Sequence, residues 1–133
     1  MADENGVMEQ LDYLKNLIDN IDQRLNLLLK TLDESNQTLS FLNDNQYKNS
    51  SDVKVSIGSG LFSKATLEPE KIIVPIGSSI YIEEEKEKTI KRLEDNIKSL
   101  NDTYNSLIKQ KDMAQNNYDA IVYSIQRSQE GNK

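Results

Sequence analysis

The sequence predicts an α+β fold, in which two long helices pair as an antiparallel coiled-coil hairpin and two β-hairpins lie between them. A heptad seam of apolar residues runs through the first third of the chain, and a similar seam runs through the last third. Short strand-like runs punctuated by glycine separate the two seams. We expect a single domain, with helices at about 6–46 and 83–129 and the hairpins at 53–82.

The first seam predicts the N-terminal helix. Its apolar residues recur at alternating steps of four and three, which is typical of a left-handed coiled coil. Acidic residues before Gly6 suit a helix start, and the Asn43-Asp44-Asn45 run disfavours its continuation. The polar Ser35 interrupts the rhythm, and we expect it to set the register or loosen the coil. The seam residues are Val7, Leu11, Leu14, Ile18, Ile21, Leu25, Leu28, Leu32, Leu39 and Leu42.

The middle of the chain predicts two successive β-hairpins after a polar loop at 48–51. Residues 53–57 alternate apolar and polar side chains, the period of a half-buried strand. Pro75 cannot donate a ladder hydrogen bond, so we expect an edge or a bulge there. Gly58-Ser59-Gly60 and Gly77-Ser78-Ser79 are the expected turns. The four predicted strands span 53–57, 61–67, 71–76 and 80–82.

The second seam predicts the C-terminal helix. Glu83, Glu84 and Glu85 are expected to open it, because acids favour the positive end of the helix dipole. Gly131 is a plausible stop. Lys111 interrupts this seam as Ser35 does the first. The seam residues are Ile90, Leu93, Ile97, Leu100, Tyr104, Leu107, Lys111, Ala114, Tyr118, Ile121 and Ile125.

The composition narrows the possible functions. The 133 residues include no Cys and no His, so we expect no disulfide, no metal site, no cofactor and no catalytic residues. A formal net charge of −6 argues against nucleic-acid binding. The N-terminal residues do not form a signal peptide, and no apolar run approaches a membrane-spanning length. We therefore expect a cytoplasmic protein that is not an enzyme.

The middle segment, set between matched heptad arms, resembles the α-type subunits of the prefoldin family. Residues 53–62 carry the apolar-Gly-x-Gly turn of the first hairpin as Ile57-Gly58-Ser59-Gly60. Residues 71–83 carry the related second turn, in which Ser79 replaces the second glycine. A proline common shortly before the first glycine is also missing. The presence of two hairpins rather than one distinguishes α-type from β-type subunits.

The resemblance implies a function and a set of partners. Prefoldin is an ATP-independent molecular chaperone, a hetero-hexamer of two α-type and four β-type subunits. Their hairpins form β-barrels from which the coiled coils extend. Unfolded polypeptides are held by apolar surface at the ends of the coiled coils and transferred to a group II chaperonin. The alternative is an architectural protein that forms homo-oligomers or filaments through its own β-hairpins.

Two sets of candidate residues follow. Unpaired strand edges invite pairing with another chain, so the apolar strand residues form a predicted oligomer interface. In an antiparallel hairpin the two chain ends lie together, and their apolar residues form a predicted client-binding surface. The interface residues are Val53, Val55, Ile57, Leu61, Phe62, Ile72, Val74, Ile76, Ile80 and Ile82. The client-binding residues are Val7, Met8, Leu11, Ile121, Val122, Tyr123 and Ile125, of which Met8, Val122 and Tyr123 lie off the seam.

Overall fold

A computed structural model describes residues 2–44 and 53–131. Two long helices flank two antiparallel β-hairpins, which confirms the predicted α+β fold. The loop expected at 48–51 lies outside the described residues. The elements are α1 (Ala2–Asn43), β1 (Val53–Gly58), β2 (Leu61–Ala65), β3 (Lys71–Gly77), β4 (Ile80–Glu85) and α2 (Lys86–Gly131).

Helix α1 begins earlier than the seam predicts. It starts at Ala2 rather than near Gly6, so the acidic residues expected to precede the helix lie in its first turn. The carboxylate of Glu4 there suits the unpaired N–H groups of the helix start. The helix continues to Asn43, and the last residues of the expected range, 45 and 46, lie outside the described part of the chain.

The junction of β4 and α2 differs from the expectation. Glu83, Glu84 and Glu85 do not open the second helix, because they belong to β4. Each pairs with a residue of β3 in the antiparallel register, and this pairing outweighs the local preference of acids for a helix start. The amide of Lys86 then donates a hydrogen bond of 3.0 Å to the carbonyl of Glu70. Helix α2 starts at Lys86 and includes Gly131, which was expected to stop it.

The two hairpins turn in the same way. In each, a two-residue loop has positive φ at both positions: 54° and 75° at Ser59 and Gly60, and 53° and 61° at Ser78 and Ser79. This is the type I′ geometry, whose twist matches that of the flanking strands. The bulge expected near Pro75 is present, because the ladder of β3 and β4 shifts register between Pro75 and Gly77. The ladder of β1 and β2 shifts at the matching place, between Ser56 and Gly58, where there is no proline, so the irregularity accompanies the positive φ of Gly58 and Gly77 rather than the proline.

One compact unit combines Met1–Leu32 with Leu100–Lys133. We call it the arm unit. Ile21, Leu25 and Leu107 form its buried cluster, and all three are seam residues. Within this unit every described seam position is buried or half-buried, as a paired-helix core requires. The partly buried residues packed against the cluster are Leu17, Leu28, Tyr104 and Ile108.

The other compact unit spans Asp33–Ser99 and holds both hairpins, and we call it the hairpin unit. Its buried apolar cluster pairs Leu42 of α1 with Ile90 of α2. Leu67 and Ile72 pack on that cluster, so the β-segment is anchored to the helices by apolar contact at the base of β3. Leu39 and Leu93, both seam residues, complete the packing.

Candidate assembly surfaces and terminal groove

The hairpin of β1 and β2, hairpin A, presents apolar side chains to solvent. Ile57, Leu61 and Phe62 are 64%, 61% and 61% exposed. Phe62 lies opposite Ser56 in the ladder, so it occupies the other face of the sheet from Val55, which lies opposite Ser63. The predicted interface residues of hairpin A are therefore divided between two faces. Val53 is half-buried at the strand start.

The hairpin of β3 and β4, hairpin B, has one face that is partly anchored. Ile72 lies opposite Glu84 near the helices, whereas Ile76 and Ile80 at the turn are 58% and 55% exposed. Val74 is half-buried and Ile82, which lies opposite it, is 44% exposed. Burial thus falls along this face from the helix end to the turn, which leaves its outer half available to a partner.

The opposite face of hairpin B was missed by the sequence reasoning. Ile73 and Tyr81 are 66% and 62% exposed, and Tyr81 lies opposite Pro75. Adjacent residues of a strand point to opposite faces of the sheet. The adjacent apolar residues of β3 and β4 were therefore the signal that could have revealed this second apolar face.

An acidic side chain fastens hairpin B to α2. Glu84 is buried and accepts two hydrogen bonds from Arg92, Nη1 to Oε1 at 2.7 Å and Nη2 to Oε2 at 2.6 Å. The Thr89 hydroxyl donates to the same carboxylate at 3.1 Å. The hydrogen bonds from Arg92 lower the pKa of Glu84, and burial opposes that shift. The two-pronged geometry fixes both groups and orients the base of the sheet on the helix.

The arm unit carries an open apolar groove where the beginning of α1 meets the end of α2. Val7, Met8 and Ile125 provide its apolar part. Met8 is 58% exposed, so its flexible thioether is accessible to another molecule. We call this the terminal groove; its lining residues are Glu4, Val7, Met8, Ser124, Ile125, Ser128 and Gln129.

A second groove lies farther along the same helix pair. It contains Tyr13, which is 66% exposed, together with Leu14 and Ile121. Sequence reasoning did not single out Tyr13, because it lies off the heptad seam. We call this the Tyr13 groove; its lining residues are Gln10, Tyr13, Leu14, Asn117, Ala120 and Ile121.

The structure therefore distributes the seven predicted client-binding residues over several positions. Three of them line the terminal groove, and Ile121 lines the Tyr13 groove. Leu11 and Val122 are half-buried, and Tyr123 is 64% exposed, but these three line neither groove. The polar lining residues, including Glu4 and Gln129, were missed; the spacing of Glu4, Val7 and Met8 on one helix face was the available signal.

Across 2–44 and 53–131, no three acidic side chains are grouped so that they could hold a metal ion. Neither helix, over its described length, is long and apolar enough to cross a membrane.

Two long helices that flank two antiparallel β-hairpins define an α+β class of coiled-coil protein. A family model described as Prefoldin subunit matches residues 14–131. The chain therefore belongs to the prefoldin family of chaperones, and its two hairpins and its relatives place it among the α-type subunits. Such subunits assemble into oligomeric prefoldin complexes.

Relatives support this assignment, and a solved structure supports the fold. The chain is 52% identical to prefoldin subunit alpha of Picrophilus torridus over 97 residues, which cover 73% of this chain and 70% of the relative. It is 34% identical to that of Thermoplasma acidophilum over 116 residues, covering 86% and 89%. A cryo-EM structure of filamentous PFD from Methanocaldococcus jannaschii has a TM-score of 0.70 at 22% identity, covering 87% of this chain and 98% of that one. That similarity shows the fold alone.

Proposed function

We propose that this chain is the α-type subunit of an ATP-independent holdase, which captures unfolded polypeptides and transfers them to a group II chaperonin. The observation that carries the proposal is the terminal groove, an accessible apolar surface in a protein of a chaperone family. Accessible apolar side chains can cover the apolar segments that an unfolded chain exposes. The holding step needs only this burial, so we expect it to proceed without nucleotide and to resist salt.

The hairpins serve assembly in this proposal. Hairpins A and B each consist of a two-stranded sheet, so every strand in the described segment has an unpaired edge. Exposed Ile57 and Ile80 add apolar area beside those edges. Pairing with hairpins of four β-type subunits, in a complex with two α-type chains, would cover both the edges and the apolar faces. The resulting β-barrel would be an oligomeric structure rather than a feature of one chain.

Native mass spectrometry tests the assembly step. We expect the chain, mixed with a one-hairpin β-type subunit, to form a complex of two α-type and four β-type chains. The double variant Ile57→Ser with Ile80→Ser should lose that complex while its helical circular dichroism is unchanged. Leu27→Ser with Leu29→Ser removes a similar exposed apolar area from α1 and serves as the control, since those residues are 67% and 47% exposed. Open-ended homo-oligomers without the β-type chain would instead support the architectural alternative.

An aggregation assay tests the holding step. The assembled complex should suppress the aggregation of a chemically unfolded test protein in the absence of nucleotide. Addition of a group II chaperonin with ATP should then release folded test protein. A complex of correct mass that leaves aggregation unchanged would contradict the proposed holdase function, although the assembly result would stand.

A further inference from the structure

The charge around the terminal groove is unbalanced. Its lining includes one ionisable side chain, Glu4, and its other polar members are neutral Ser and Gln residues. Over residues 4–18 and 115–131, which belong to the ends of α1 and α2 beside the groove, the sequence contains five acidic and two basic side chains. The groove is thus an apolar surface whose described lining carries one carboxylate, that of Glu4, on helix ends with an excess of acidic residues.

The helix dipoles do not reverse the negative sign of the charge at the terminal groove. Glu4 lies near the start of α1 and Gln129 near the end of α2, and both line the groove. The positive end of one helix and the negative end of the other therefore lie beside the same groove and largely cancel. The local potential is then set mainly by side chains, and among the described lining residues the one charged side chain is that of Glu4. Arg127 lies on α2 between lining residues but is not itself part of the lining.

We infer that the terminal groove prefers apolar client segments flanked by lysine or arginine over the same segments flanked by acids. This inference rests on the proposed holdase function and specifies its substrate class. The apolar part of the client would cover Val7, Met8 and Ile125, and its basic flank would lie near Glu4. Burial supplies the binding in this arrangement, and charge complementarity supplies the preference.

Peptide binding to the assembled complex tests the preference. Three fluorescent peptides share one apolar core of six residues and differ in their flanks, which are two Lys, two Ser or two Glu at each end. By fluorescence anisotropy at 0.05 M salt, the Lys-flanked peptide should bind about three- to tenfold more tightly than the Glu-flanked one, with the Ser-flanked peptide between them. At 0.5 M salt, where the Debye length is about 4 Å, the ratio should fall below about twofold while all three still bind.

Three variants locate the charge preference. Glu4→Gln should reduce the Lys-to-Glu ratio at low salt, and Glu4→Lys should bring it to one or below. Glu94→Gln removes the same charge from an exposed position in the hairpin unit and should leave the ratio unchanged. Binding of the Ser-flanked peptide should be nearly the same in wild type, Glu4→Gln and Glu94→Gln, because it lacks the charged flank.

The outcomes separate this inference from the function on which it rests. Equal binding of the three peptides at low salt, with aggregation still suppressed, would overturn the charge preference and leave the holdase function intact. A preference that persists in Glu4→Lys would overturn the assignment to this groove. Failure of every peptide to bind, together with failure to suppress aggregation, would overturn both proposals.

Discussion

Lys111 of α2 and Asp22 of α1 form an ion pair inside the arm unit, with Nζ 2.7 Å from Oδ1. Lys111 is the charged residue of the second heptad seam, where an apolar side chain is the rule. The hydrogen bond and charge of Asp22 raise the pKa of Lys111 above its ordinary value of 10.5. The pair therefore compensates a polar seam position and favours one alignment of the two helices.

The first prediction concerns this pair. Asp22→Asn should lower the urea midpoint by less than a core truncation does, because both side chains remain partly exposed. Lys111→Leu should raise the midpoint, because an apolar residue then fills the seam, but it should permit other alignments. A double-mutant cycle at pH 7 in low and high salt measures the coupling.

The raised pKa of Lys111 sets the direction in which the stability contribution of the Lys111–Asp22 pair changes with pH. From neutral pH to about pH 10.5 the contribution of the pair is complete, and it is lost as the pH rises through the higher folded-state pKa of Lys111. Strict additivity of the two substitutions at low salt would show that the pair does not couple the helices.

The second prediction concerns the core of the arm unit. Leu25 is 6% exposed and belongs to the buried cluster with Ile21 and Leu107. Leu25→Ala should lower the free energy of unfolding by about 2–4 kcal/mol, through lost burial and the cavity left behind. Leu27→Ala is the matched control, since Leu27 is 67% exposed and should change stability by less than about 0.5 kcal/mol. Similar urea midpoints for the two variants would contradict the observed packing.

The third prediction concerns the acid sensitivity of the hairpin unit. Arg92 lowers the pKa of Glu84 in the folded state, so the carboxylate stabilises the fold at pH values above its unfolded pKa, near 4.5. That contribution should be lost as the pH falls below about 4.5 and through the lower folded-state value. Urea unfolding at several pH values from 7 to 3, followed by circular dichroism, measures how steeply the free energy of unfolding falls as the pH falls.

Variants identify the source of that slope. Glu84→Gln should be less stable than wild type at pH 7 and should lose less stability on acidification. Glu94→Gln, an exposed change on the same helix that follows β4, should retain the wild-type slope. Arg92→Lys should also weaken the contact, because an ammonium group cannot make the paired hydrogen bonds of a guanidinium. Parallel pH profiles for wild type and Glu84→Gln would exclude this source.

Much of the helical core could be predicted from the sequence, because heptad spacing encodes burial directly. Ile21 and Leu107 are buried as their seam positions predict. The segment Glu83–Glu85 was assigned wrongly, because its local composition favours a helix start whereas pairing with β3 places it in a strand. That pairing is a tertiary contact between residues such as Lys71 and Glu85, and local preference does not encode it.

The candidate site was only partly predictable for a related reason. Met8 and Ile125 were identified as apolar residues near the two chain ends, and the structure places both in the terminal groove. Glu4 and Ser128 were not identified as lining residues of the groove, because the axial stagger between the two helices decides which polar residues line it. The exposed face at Ile73 and Tyr81 was missed because both faces of hairpin B carry apolar residues. Alternation alone does not decide which of two such faces is covered.

The fourth prediction concerns the turn of hairpin B. Gly77 has a φ of 110°, and a Cβ built there would meet nothing within 4 Å. Gly77→Ala should therefore destabilise the protein through backbone strain alone, by about 1–2 kcal/mol. Ser79 has a φ of 61°, so Ser79→Gly should relieve strain and stabilise the hairpin by up to about 1 kcal/mol.

Thermal unfolding measures both changes, with a helical glycine as the control. Gly6 lies in α1, where a Cβ would also meet nothing within 4 Å, and Gly6→Ala should stabilise by about 0.5–1 kcal/mol. The same glycine-to-alanine change should thus have opposite signs at Gly77 and Gly6. Equal effects at the two positions would show that the positive φ at Gly77 does not limit its replacement.

The fifth prediction concerns client holding. Met8 and Tyr123 are 58% and 64% exposed, and Val122 is half-buried, all outside the heptad seam. Changing these three residues to Ser should weaken the binding of an unfolded test protein about tenfold or more, since roughly 25 cal/mol is lost per Å² of apolar surface no longer buried. Oligomer mass and helical content should stay constant, because the seam residues are unchanged.

The control removes exposed apolar residues from the same arm unit, at sequence positions farther from the two chain ends than Met8, Val122 and Tyr123. Leu27, Leu29 and Met113 are 67%, 47% and 66% exposed, and changing them to Ser should leave aggregation suppression at the wild-type level. Because burial rather than charge supplies the binding, moderate salt should not release the held chain. Equal suppression by the two triple variants would show that clients bind elsewhere, and release by salt alone would show that charge holds them.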